Sequence, residues 1–69
     1  MKKETAIKRA HKLGYTILYS ESPTELRFRK PGAAVNALNM PYEYCLVDVR
    51  HPVRTNGWRV EEKVDPLVI

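Results

Sequence analysis

The chain predicts an α+β fold, one N-terminal helix packed on a three- to four-stranded antiparallel sheet in an αββββ meander. Three observations point there. Apolar side chains recur at helical spacing over residues 3 to 13, and residues 25 to 30 and 42 to 50 alternate with the period of a strand. Asn56-Gly57 stands between further alternating stretches, as the two-residue loop of a hairpin does.

Ala6, Ile7, Ala10 and Leu13 form the apolar stripe of the helix, and Lys8, Arg9 and Lys12 lie on its far side. Glu4 precedes Lys8 by four residues, the favourable order for a helical ion pair. Gly14 follows as a left-handed C-terminal cap would. Tyr15 to Tyr19 is aromatic and β-branched and reads as a first strand, closed by the turn residues Ser20 to Thr24. Glu25 to Lys30 makes the second strand, with Leu26 and Phe28 turned to the helix and Arg27 and Arg29 outward. Pro31-Gly32 stops it. Gly32 to Met40 carries no charge and is too apolar for an ordinary solvated linker. It reads as one or two helical turns, as a flap over the core, or as a segment that meets a partner.

Tyr42 to Arg50 makes the third strand, with Cys45, Val47 and Val49 facing inward. A type I′ turn at Asn56-Gly57 would place Thr55 opposite Trp58, Arg54 opposite Arg59, Val53 opposite Val60, Pro52 opposite Glu61, His51 opposite Glu62, Arg50 opposite Lys63 and Val49 opposite Val64. That register gathers basic side chains on one face and sets two like-charged pairs across the strands, an arrangement that is destabilising without solvent or an anionic partner. Trp58 to Val64 is the fourth strand, and Leu67-Val68-Ile69 is an apolar tail beyond Pro66. Trp58, Tyr15, Tyr19 and Phe28 are expected in the core, which in a small protein needs its large aromatics.

Sixty-nine residues form one small domain, 1–69, with a thin core, since a chain of this size buries only about 60% of its unfolded surface. Cys45 is the single cysteine, so no disulfide forms within the chain, which fits a reducing, cytoplasmic setting and a buried thiol. No stretch approaches the length of a membrane span. The net charge of +4 lies in residues 1 to 13, where Lys2, Lys3, Lys8, Arg9 and Lys12 stand against Glu4. Over the remainder, basic and acidic side chains balance.

Catalysis and metal binding find little support. One cysteine and two distant histidines, His11 and His51, supply neither an oriented nucleophile nor the three or four ligands of a metal site. Gly14, Gly32 and Gly57 each suit a cap or a turn rather than a phosphate loop. The chain therefore reads as a non-enzymatic binding protein with no cofactor. Its first candidate interface is the arginine-rich sheet face, where Arg27, Arg29, Arg50, Arg54, Arg59 and Lys63 would contact the phosphates of nucleic acid and Tyr44 would offer a stacking surface. The helix cluster Lys8, Arg9 and Lys12 is a secondary basic patch. The alternative is a regulator or inhibitor that occupies a partner protein, itself a nucleic-acid-handling one, through Val35, Leu38, Met40 and the tail residues Leu67, Val68 and Ile69. In size and style the chain is similar to small accessory proteins of phages and other mobile elements, and pairing of two copies into a homodimer would ease its stability problem.

Overall fold

The computed structural model describes residues 1–50 and 56–64. The elements are α1 (Lys3–Lys12), β1 (Ile17–Glu21), β2 (Glu25–Arg29), β3 (Glu43–Val49) and β4 (Trp58–Val64). The strands form one antiparallel sheet in the order β1-β2-β3-β4, the meander that short connections favour.

Helix α1 lies across β3 and β4 on one face of the sheet. Ala6 and Ala10 are fully buried, and their small side chains let the helix approach closely, while Ile7 packs at the margin. Leu13 leaves the expected stripe and is 43% exposed. It is the helix C-cap, so the chain is already turning away from the sheet there. Gly14 has φ +101°, and the amides of Gly14 and Tyr15 bond back to the carbonyls of His11 and Ala10, both at 3.0 Å. This is the paired closure of a Schellman motif, and its left-handed residue favours glycine. The turn drops Tyr15 into the core, so β1 begins at Ile17 rather than Tyr15.

Leu26 and Phe28 from β2 and Cys45 and Val47 from β3 complete the buried cluster, with Met1, Trp58 and Val60 packed against it. Burial raises the Cys45 thiol pKa, the Glu62 charge adds to this, and a backbone hydrogen bond at Glu61 partly offsets it. A buried neutral thiol is a poor nucleophile. Cys45 is expected to react with a water-soluble thiol reagent only as fast as the domain opens, and far faster in urea; immediate native-state labelling would contradict this packing.

The hairpin register departs from the sequence expectation. Trp58 faces Val49 rather than Thr55, Arg59 faces Asp48 rather than Arg54, Val60 faces Val47, and Lys63 faces Tyr44 rather than Arg50. The observed register replaces two like-charged pairs with an ion pair and matches apolar residues on the inner face. β3 therefore stops at Val49, and Arg50 lies in an exposed bend beyond it. Because the displacement along β3 is even, every side chain keeps the face that its alternation assigns. The two-residue turn expected at Asn56-Gly57 does not form, because a loop of that length would pair Trp58 with Thr55 and Trp58 pairs with Val49. The strand positions expected for His51 to Thr55, Arg54 included, and the tail Leu67, Val68 and Ile69 lie outside the described residues.

Candidate binding surfaces

The uncovered face of the sheet brings together Arg27, Arg29, Arg59 and Lys63, as alternation requires, but it also brings carboxylates among them. Arg27 Nε donates to Glu25 Oε1 at 2.7 Å, and Arg59 donates to both oxygens of Asp48 at 2.7 and 3.3 Å. Glu61 lies 3.9 Å from Arg59 and 3.6 Å from Lys63. The hydrogen bonds to Glu25 and Asp48 raise the pKa values of Arg27 and Arg59. Arg29 has no carboxylate partner among the described residues, and its Nε is buried without a hydrogen bond.

Leu46 sits between Arg27 and Glu61 in register and is only 8% exposed, although no helix covers this face. Long side chains lying over an apolar residue while their charged heads reach solvent account for such burial. Arg27 also stacks over the Tyr44 ring at 5.3 Å. Tyr19 falls at the irregularity between Leu18 and Ser20, where it is half-buried and does not join the core cluster. Burial, first, raises the Tyr19 pKa, with Arg27 working against it.

Alternation in the sequence puts Arg27, Arg29 and Arg59 on this face, with Asp48 and Glu61 among them, but does not give the pairs they form; Arg50 lies in the bend beyond β3, and Arg54 is outside the described residues. Glu25 has the same parity as Arg27 and Arg29, so alternation alone could have found it. The pairing of Asp48 with Arg59 needed the register.

The second surface is the segment joining β2 to β3. It is neither a helix nor a flap over the core, because its backbone bonds to itself as a small hairpin. The amide of Tyr42 bonds to the Ala34 carbonyl at 3.2 Å, that of Asn36 to the Met40 carbonyl at 2.8 Å, and Val35 bridges Pro41. Asn36 Oδ1 accepts from the amides of Leu38 at 2.8 Å and Met40 at 3.0 Å, and Asn39 takes φ +63° to close the tip. An asparagine side chain replacing missing backbone partners holds such a loop. Self-bonded in this way, the arm presents its apolar residues: Leu38 is 81% exposed, Met40 40% and Val35 38%. At its base a shallow cleft of about 280 Å³ is lined by Lys30, Pro31, Ala33, Ala34, Tyr42 and Glu43.

Lys8, Arg9 and Lys12 are exposed on the far side of α1, opposite the open sheet face, and form no ion pair among the described residues. His11, also exposed, meets Phe28 edge-on with ring centroids 5.3 Å apart and does not pair with Cys45. Among the described residues no group of three metal-ligating side chains converges, and no helix is long and apolar enough to cross a membrane. Comparison with protein-family models, curated proteins and solved structures found no match to this chain.

Proposed function

We propose that this chain is a non-enzymatic, protein-binding module that acts as a regulator or inhibitor by inserting the tip of its β2–β3 arm into an apolar pocket of a partner protein. The exposed leucine at position 38, held on a loop whose turn is bonded by Asn36, carries this reading. A leucine left in water forgoes about 1.5–3 kcal/mol of burial free energy. A loop already held in shape loses less entropy on binding than a flexible one. No charged side chain occurs between Lys30 and Glu43, so the arm has complementarity to an apolar pocket and none to a phosphate.

The phosphate-binding reading of the sheet face draws on Arg29, which lacks a carboxylate partner among the described residues, whereas Lys63 has Glu61 at 3.6 Å. It draws less on Arg27 and Arg59, whose donors are already engaged. Nucleic acid would have to compete with Glu25 and Asp48 for them.

The test is affinity capture from the source cells with the tagged full chain, followed by titration against the identified partner in purified form. Leu38→Asp is expected to weaken binding at least about 20-fold while leaving the melting temperature nearly unchanged, because the substitution is at an exposed loop tip. Equal affinity of the two proteins would remove the arm from the interface. Tight binding to labelled DNA or RNA that falls steeply with salt and is lost in Arg29→Ala would transfer the function to the sheet face.

A further inference from the structure

The outer edge of β4 has a defined orientation. The amino group of Met1 donates to the Trp58 carbonyl at 3.1 Å, and the Trp58 amide donates back to the Met1 carbonyl at 2.9 Å. The backbone of Trp58 therefore points away from β3, and by the alternation of an antiparallel ladder so does that of Val60, Glu62 and Val64. No described residue bonds to the outward groups of these three. An edge strand with unpaired amides and carbonyls is a template for another strand. The opposite edge of the sheet, β1, is interrupted by its irregularity between Leu18 and Ser20 and is the poorer template.

We propose that the Val60–Val64 edge pairs with the same edge of a second copy of this chain, antiparallel and centred on Glu62, joining two four-stranded sheets across a two-fold axis. Met1 already occupies the edge at Trp58, and Pro66 has no amide hydrogen to donate, so the stretch open to pairing is short. Outward-facing residues must meet one another, which limits the registers. Centring on Glu61 would set Glu61 against Glu61 and Arg59 against Lys63; centring on Lys63 would set Lys63 against itself.

Centring on Glu62 sets Glu61 opposite Lys63 of the second copy, twice, on the uncovered face. On the helix face it sets Val60 opposite Val64, twice, and Val64 is 68% exposed in the single chain. The central Glu62 pair is the one repulsive contact. Val-Glu-Glu-Lys-Val is thus self-complementary when read against its own reverse. The interface is separate from the arm and does not depend on the function proposed for it.

The experiment is sedimentation equilibrium of the full chain over a wide concentration range, with circular dichroism to confirm folding. The wild type is expected to dimerise reversibly. Glu61→Lys and Lys63→Glu should each weaken the dimer about tenfold by turning two attractive cross-strand pairs into repulsive ones. The double variant should regain wild-type affinity, and the two single variants, mixed, should form a heterodimer tighter than either homodimer. Leu38→Asp should leave the association unchanged. A chain monomeric at millimolar concentration, or a dimer indifferent to both charge reversals, would overturn the proposal.

Discussion

Phe28→Ala is expected to leave the protein largely unfolded at physiological temperature. Phe28 is 4% exposed at the centre of the buried cluster, with His11 from the helix against its ring edge. Emptying such a site costs about 3–5 kcal/mol, the lost burial plus the cavity that a close-packed surround cannot fill. A domain of this length has about 3–10 kcal/mol in total, and a single small core tends to the lower end of that range. One substitution therefore removes most of the stability available. Urea titration followed by far-UV circular dichroism and by the fluorescence of Trp58 checks it. A loss under about 1 kcal/mol would show that the β2 side of the core contributes little. Leu38→Asp provides the contrast, a drastic chemical change at a position that burial energy does not reach.

Alkali is expected to destabilise the fold in a defined window, with Tyr15 as the main cause. Tyr15 is 3% exposed, and its pKa is pushed up to about 12 by burial first, then by its hydrogen bond with Glu62 and the charges of Glu62, Glu43 and Cys45. An unfolded tyrosine ionises near pH 10. Below that pH both states hold the proton and the stabilisation is complete. Between about pH 10 and 12 the unfolded chain loses its proton while the folded one keeps it, so stability falls, and above the folded pKa nothing of this contribution remains. Two pH units correspond to about 3 kcal/mol. The urea midpoint should drop across this window, and Tyr15→Phe should flatten most of the slope, leaving a smaller share for Tyr19, whose pKa is also raised. The same slope in Tyr15→Phe would place the alkaline sensitivity elsewhere, in the lysines or the thiol.

The fold class was legible because its signals are local. The helical spacing of Ala6, Ile7 and Ala10, the glycine after the last turn and the alternation around Phe28 and Val47 depend only on neighbouring residues. The two misplaced aromatic and apolar side chains sit where local rules end: Leu13 at a cap and Tyr19 in a strand irregularity. The candidate surfaces were legible in part. Val35, Leu38 and Met40 stood out by composition, yet the same composition served equally for a core flap. The Asn36 bonds fix the turn itself, and the exposure of Leu38, Met40 and Val35 distinguishes an exposed arm from a lid laid over the core.

Which face of the sheet each strand residue occupies is written in the chain itself, since a period of two survives any even slip of one strand along another. Which residue it meets across the ladder is a property of two distant segments, settled by the free energy of matching their charges and apolar groups over the whole contact. Arg59 was thus on the expected side of the sheet from its position alone, and its neutralisation by Asp48 came from the packing of β3 against β4.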